Sequence, residues 1–137
     1  MNDAIRQALI PHIGQTKLII RFNVPRTKLT DNAAHALLRI IRELTINAVR
    51  HGHATTIRIA GEQTNGLLSF SVRDDGTGFD PQSAPGVQQG HFGLQGIRER
   101  IQRFDGEMKI ETNRSAGSKI SITMNISFPQ EEDRMEP

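Results

Sequence analysis

The segment that most constrains this chain is an alternating run that ends in acidic residues and glycines. Residues 68–73 place Leu68, Phe70 and Val72 on one face of a predicted β-strand. The sequence Asp-Asp-Gly-Thr-Gly-Phe-Asp follows directly at 74–80. A carboxylate at a strand end can accept a hydrogen bond from a ligand amine, and glycines let another group approach the backbone closely. An Asp-Gly pair alone, however, is more typical of an ordinary hairpin turn.

The composition excludes several classes of function. The 137 residues are enough for one domain with a substantial core, and their net charge of +2 indicates no general attraction to nucleic acid. The chain has no cysteine, which excludes disulfides, thiol catalysis and thiolate metal sites. It also has no Trp or Tyr on which nucleotide bases could stack. No apolar run has membrane-spanning length and no signal-peptide pattern opens the chain, so we expect a cytoplasmic location.

Hydrophobic periodicity predicts eight elements in the order helix, strand, helix, strand, strand, helix, strand, strand. They cover residues 3–13, 16–24, 30–52, 55–60, 67–73, 92–105, 107–112 and 118–127. We expect a turn at 61–66, a loop at 80–90, and a helix cap at Gly106. This order predicts an α+β fold, a two-layer sandwich whose mixed, mostly antiparallel sheet carries the helices on one face. Residues 1–129 form this domain, and the acidic tail 130–137 is expected to be disordered.

The long helix predicted over 30–52 has a polar face that carries candidate ligands. Glu43 and Asn47 are one turn apart, so their side chains lie on the same side of the helix. Arg50 lies on the same face and His51 at its edge. A polar face is common on surface helices, but Asn is a poor residue for a helix interior. Amide and carboxylate oxygens are good ligands for a hard cation and its bound water.

Three segments together resemble a known family. They are the helix face Glu43–His51, the turn Asp74–Gly78 and the loop-to-helix stretch Gly90–Gly96, which contains the sequence Gly-His-Phe-Gly-Leu-Gln-Gly. In this order they resemble the ATP-binding domain shared by DNA gyrase, the ninety-kilodalton heat-shock chaperone, MutL and the sensor histidine kinases. The first segment and residues 91–100 are similar to the nitrate-sensor type of bacterial histidine kinase. This resemblance implies a Bergerat-type sandwich.

The resemblance also implies ligands and residue roles. Asn47 is expected to bind the Mg²⁺ that bridges the triphosphate of ATP, and Asp74 to accept a hydrogen bond from the adenine amine. Gly76 and Gly78 are expected to bring the backbone close to the nucleotide. Glu43 holds the position of the general base of the ATP-hydrolysing relatives; in a kinase it would polarise the acceptor His or a metal-bound water. The other expected ATP contacts lie in these segments or on the last strand: Arg50, His51, Phe79, Gly90, His91, Phe92, Gly93, Leu94 and Ser118. Ser118 stands where that subfamily usually has Thr.

The implied function is the ATP-binding catalytic domain of a sensor histidine kinase. Such a domain transfers the γ-phosphoryl group to a His on a dimerisation domain and thereby serves a response-regulator receiver domain indirectly. None of the five histidines of this chain has an acceptor's sequence context, so we expect the acceptor elsewhere. The P-loop pattern is also missing. Two alternatives remain open: an anti-sigma-factor serine kinase of the same fold, and a nucleotide-binding regulatory module without transfer activity.

Overall fold

The computed structural model describes residues 1–77, 94–113 and 117–126. The α-helices and β-strands among them, in chain order, are α1 (Asn2–Ile13), β1 (Lys17–Asn23), α2 (Asp31–Arg50), β2 (Thr56–Thr64), β3 (Leu67–Asp74), α3 (Leu94–Gln102), β4 (Glu107–Asn113) and β5 (Gly117–Asn125). The predicted order of elements is confirmed. The expected loop at 80–90, the first residues of the helix predicted from 92, and the tail at 130–137 lie outside the described residues.

The five strands form one mixed sheet in the order β1-β2-β3-β5-β4. β1 and β2 are parallel, with α2 in the connection between them, and every other neighbouring pair is antiparallel. The helices pack on one face of the sheet. Along the strands, buried side chains that point to this face alternate with more exposed side chains that point to the opposite face. The α+β two-layer sandwich with a mostly antiparallel sheet is therefore confirmed.

Helix α2 is the central element of the helical layer. Its start is capped by Thr30, whose hydroxyl oxygen accepts a hydrogen bond from the Ala33 N–H at 3.0 Å. The buried face of α2 is wide, because the helix contacts α1 and α3 as well as the sheet. Its buried residues are Ala33, Ala34, Ala36, Leu37, Ile40, Ile41, Leu44, Thr45 and Ala48.

The turn predicted over 61–66 is wrong, because β2 continues to Thr64. The connection to β3 is a two-residue hairpin turn in which Asn65 and Gly66 both have positive φ, 52° and 78°. Asn-Gly is the pair that such tight hairpin turns favour. Gly61 lies inside the strand, at a position where no side chain fits. The Phe22 ring covers it, and a Cβ on Gly61 would lie 2.4 Å from the ring.

The end of α3 differs from the prediction in one detail. We expected Gly106 to cap the helix, and it shares this role with Asp105, which has the left-handed conformation, with φ of 49°. The Asp105 N–H donates to the Gln102 carbonyl at 3.1 Å, and the Gly106 N–H donates to the Ile101 carbonyl at 2.9 Å. This pair of bonds is a Schellman motif that Asp105 begins and Gly106 completes.

The sheet face opposite the helices carries a row of like charges. Arg58 on β2 lies directly opposite Arg73 on β3, which lies directly opposite Lys119 on β5. None of the three forms an ion pair with another residue of the described ranges. Like charges in directly opposed positions reduce the stability of a sheet, so this row is a local cost to the fold.

We predict that Gly61→Ala destabilises the domain by about 1–3 kcal/mol, because the buried Phe22 ring cannot make room for a methyl group without disturbing the core. Urea denaturation measures the effect. The matched control is Ala60→Ser at the neighbouring exposed position of β2, which should change the free energy of unfolding by no more than about 0.5 kcal/mol. Equal stability of the two variants would contradict the role of the ring.

Candidate functional site

Asp74 is an acid placed on the core face of the sheet. It continues the alternation of Leu68, Phe70 and Val72, and only 8% of its surface is exposed. Its Oδ1 accepts a hydrogen bond from the Gly76 N–H at 2.8 Å, and its Oδ2 accepts one from the Ser118 hydroxyl at 2.6 Å. Each carboxylate oxygen can accept a further bond. The sequence therefore presents an oriented acceptor at the end of β3.

Asp75 has a different role, because the next side chain of a strand points the opposite way. Its Oδ1 accepts hydrogen bonds from the N–H groups of Thr55 and Thr56 at 2.8 and 2.9 Å, and its Oδ2 accepts one from the Thr55 hydroxyl. These bonds, that of the Thr55 hydroxyl first, lower the pKa of the Asp75 carboxyl from its ordinary value of 3.8. Asp75 thus ties the start of β2 to the end of β3.

Two glycines allow the backbone to pack closely around Asp74. A Cβ on Gly76 would lie 2.3 Å from the Gly52 carbonyl oxygen, which also accepts a hydrogen bond from the Thr77 N–H at 2.8 Å. Gly117 has φ of 86°, and a Cβ there would lie 2.1 Å from the Asp74 carbonyl oxygen. The expectation that Gly76 brings the backbone close to the nucleotide stays a prediction, and the Gly52 carbonyl gives a second reason for a glycine at this position.

A cleft opens between α2, α3 and the sheet, with Asp74 in its wall. Its empty space is about 550 Å³, open mouth included. Apolar side chains alternate with a few polar groups, the usual composition of a small-molecule site. The cleft is lined by Leu44, Asn47, Ala48, His51, Gly52, Val72, Asp74, Leu94, Ser118 and Ile120.

Five of the predicted site residues line this cleft: Asn47, His51, Asp74, Leu94 and Ser118. Arg50 is exposed at the end of α2 and does not line it. Gly76 takes part through its N–H bond to Asp74. The other predicted contacts lie outside the described residues: Gly78, Phe79, Gly90, His91, Phe92 and Gly93.

Glu43 lies one turn before Asn47 but outside the lining of the cleft. Its Oε1 is 3.8 Å from the Arg39 Nε, and its Oε2 is 3.8 Å from the Arg100 Nη1. The carboxylate therefore lies between two guanidinium groups, one from α2 and one from α3. Its side chain is 28% exposed, so water and a reacting group can still reach it.

Sequence reasoning missed the apolar walls of the cleft and two of its glycines. Val72 and Ile120 were recognisable as core positions by their alternation, yet nothing in the sequence showed that they also face a cleft. Gly117 is required by a backbone contact with Asp74, which is distant in the chain, whereas a Cβ on Gly52 would lie 2.9 Å from the Ala48 carbonyl oxygen of the preceding helical turn. A signal existed at Gly117, because a glycine precedes Ser118 at the start of a predicted strand.

No group of three or more His, Asp or Glu side chains among the described residues is arranged to hold a metal ion. Within the same ranges, no helix is both long and apolar enough to cross a lipid bilayer.

Comparison with known proteins identifies the family. Residues 32–128 match the profile of the family described as "Histidine kinase-, DNA gyrase B-, and HSP90-like ATPase". The chain belongs to this family. The matched range begins on α2 and contains every residue of the cleft, so the resemblance drawn from three short segments is confirmed over most of the chain.

Similar curated proteins are sensor kinases and sensor proteins. The chain is 35% identical over 95 residues to the sensor histidine kinase YdfH of Bacillus subtilis, an alignment that covers 69% of this chain and 23% of YdfH. It is 37% identical over 90 residues to the sensor histidine kinase ComP of the same organism, with 66% of this chain and 12% of ComP covered. It is 28% identical over 124 residues to the NarQ homolog of Haemophilus influenzae, with 88% and 21% covered. The chain thus spans less than a quarter of each relative.

Solved structures share the fold. The ATP-binding domain of PrrB from Mycobacterium tuberculosis superposes with a TM-score of 0.67 at 17% identity, over 90% of this chain and 91% of that one. The histidine kinase AdeS of Acinetobacter baumannii superposes with a TM-score of 0.67 at 18% identity, over 93% and 64%. At these identities the likeness concerns the fold.

We predict that Asp75→Ala lowers the free energy of unfolding by about 1 kcal/mol at pH 7, a value limited by the exposure of its hydrogen bonds. Because the pKa of Asp75 is lowered in the folded state, its contribution is present above the unfolded value of 3.8 and is lost as pH falls through the folded pKa.

Urea denaturation of the wild type and of Asp75→Ala between pH 7 and pH 3 measures this difference. The control is Glu62→Ala, which removes an exposed carboxylate from the same sheet. A stability difference for Asp75→Ala that stayed constant into acid would show that its carboxylate does not make the predicted contribution.

Proposed function

We propose that this chain is the ATP-binding catalytic domain of a sensor histidine kinase. It binds Mg²⁺-ATP and transfers the γ-phosphoryl group to a His of a dimerisation domain. A response-regulator receiver domain then receives the phosphoryl group from that His. The family membership and the three sensor relatives support this proposal over the serine kinase of the same fold. A domain that uses ATP is expected to act in the cytoplasm, where ATP is available.

The observation that carries the proposal is the buried carboxylate of Asp74 at a wall of the cleft. Both of its oxygens are already oriented by hydrogen bonds from Gly76 and Ser118, which leaves lone pairs directed elsewhere. The remaining lone pairs of this carboxylate, in a desolvated pocket, select ligands that bring an N–H group. The exocyclic amine of adenine provides such a group, whereas guanine presents a carbonyl at that position.

The apolar lining suits the faces of a purine ring. Val72 and Ile120 come from neighbouring strands, and Leu94 comes from the first residue of α3. Each is buried or nearly so, so a planar base between them is removed from water on both faces. The orientation of the base then depends on its one polar partner, Asp74.

Asn47 is placed to act at the phosphate end. It lines the cleft from α2, and Mg²⁺ usually takes only one or two protein ligands together with water and substrate phosphates. One amide oxygen therefore fits the requirement, and when bound the ion would neutralise phosphate charge. Phosphoryl transfer depends mainly on positioning and charge stabilisation, and Glu43, one turn away, would orient the acceptor His.

We predict that Asp74→Asn weakens ATP binding by about 10- to 150-fold, the equivalent of about 1.5–3 kcal/mol for a charged hydrogen bond. The amide keeps an acceptor for the Gly76 N–H but can turn its NH₂ group toward the adenine amine. Calorimetry gives the affinity, and thermal unfolding tests whether the fold is retained.

The matched control is Asp105→Asn, a remote removal of the same charge at a position where Asn tolerates the positive φ. The wild type should also prefer ATP over GTP. Equal binding of both nucleotides, or unchanged ATP affinity in Asp74→Asn, would refute the role of Asp74 as the adenine acceptor.

We predict that the isolated chain does not label itself with γ-phosphate, whereas it labels the dimerisation fragment of its own kinase in trans. Asn47→Ala should reduce this transfer by at least about 100-fold and leave ADP binding largely intact, because the adenine contact at Asp74 is separate. Asn23→Ala, an exposed change on β1, is the control. Strong self-labelling, or full transfer by Asn47→Ala, would argue decisively against this assignment.

A further inference from the structure

A second concave surface lies between α2 and α3, beside the cleft. We call it the α2–α3 groove. It is wider and more polar than the cleft, with an empty space of about 1090 Å³. Its lining comes from the N-terminal half of α2 and from α3 with the turn that follows it: Asn32, His35, Ala36, Arg39, Gly96, Glu99, Arg100, Arg103 and Phe104.

The groove is strongly basic. Three guanidinium groups line it, those of Arg39, Arg100 and Arg103, against one carboxylate of the lining, that of Glu99. The Nη1 atom of Arg100 is buried and donates no hydrogen bond to any residue in the described ranges. Its nearest anion there, Glu43, is 3.8 Å away, beyond hydrogen-bond distance. A buried donor without an acceptor costs stability, which a carboxylate entering the groove would recover.

Gly96 gives the groove its depth. It lies inside α3, where glycine is less favourable than almost any other residue. Its φ is not in the left-handed region, and a Cβ built on it would meet nothing within 4 Å. Packing among the described residues therefore does not explain the glycine. The open space beside it allows another backbone to approach α3 closely, as helices do when small residues line their contact.

We propose that the α2–α3 groove docks an acidic helical segment of the domain that carries the acceptor His. This inference rests on the proposed function and adds to it a place for the acceptor domain. A third helix fits a trough between two helices whose lining includes the small residues Ala36 and Gly96. Arginines that line such a trough recognise carboxylates through paired N–H bonds.

The position of the groove explains why the docked segment belongs to the acceptor domain. Glu43 contacts Arg39 and Arg100, which line the groove, and it lies one helical turn before Asn47, which lines the cleft. A chain held in the groove therefore lies next to the proposed phosphate end of the nucleotide. Docking and transfer would use adjacent parts of the same two helices.

The test uses this chain with the dimerisation fragment of its own kinase, at saturating ATP and increasing fragment concentration. Arg103→Glu should raise the KM for the fragment about tenfold, with the affinity for ATP unchanged. Gly96→Gln should raise the same KM by filling the groove, while its melting temperature stays equal to or above that of the wild type because Gln favours helix. The KM of the wild type should increase with salt.

The matched control is Arg98→Glu, which reverses an exposed charge of α3 that does not line the groove. If wild-type chain labels the fragment and Arg103→Glu and Gly96→Gln have the KM of Arg98→Glu, the groove proposal is overturned and the proposed function stands. If the wild type binds no ATP or labels no fragment, the proposed function is overturned, and the groove proposal with it.

Cross-linking identifies the occupant directly. A photoreactive residue in place of His35, which is exposed and lines the groove, should cross-link to an acidic helix of the fragment, and the same residue in place of Arg98 should not. Cross-linking from position 35 to a second copy of this chain, or to added nucleic acid in preference to the fragment, would overturn the proposal.

Discussion

The structure depends on close backbone contact at the end of β3. The Gly52 carbonyl occupies the space beside Gly76, and the Asp74 carbonyl occupies the space beside Gly117. These contacts bring the end of α2 and the start of β5 to the strand that carries the buried acid. A side chain at Gly76 or Gly117 would separate the segments and move the carboxylate. The shape of the cleft therefore depends on positions without a side chain, where backbone segments meet, as well as on the side chains that line it.

Helix α2 carries residues of both concave surfaces. Its C-terminal half contributes Leu44 and Asn47 to the cleft, and its N-terminal half contributes His35 and Arg39 to the groove. The helix lies in the crossover between the parallel strands β1 and β2 and is buried against α1, α3 and the sheet. Its side chains are thus held on a rigid support, which is what positioning of reacting groups requires.

Much of this architecture could be predicted, because periodicity reports which face of an element is buried. The period of two in β3 continues to Asp74, which is why the site acid could be found from the sequence. Asp75 could not be assigned, because its partners Thr55 and Thr56 come from the start of another strand. Gly61 was misinterpreted as a turn residue for a similar reason. No side chain fits at this position because the Phe22 ring of β1 covers it, and this contact exists only in the folded sheet.

The row of Arg58, Arg73 and Lys119 on the open sheet face has a consequence for colloidal behaviour. A broad sheet surface with one side uncovered is a natural place for two molecules to stack. Here such stacking would bring the cationic stretches of two molecules together, while the carboxylate that continues the row, Glu111 on β4 opposite Lys119, is already paired with Lys109. Repulsion within the row slightly lowers the stability of the sheet, and the same charges oppose the association of two molecules through this face. Salt screens the charges and weakens this protection.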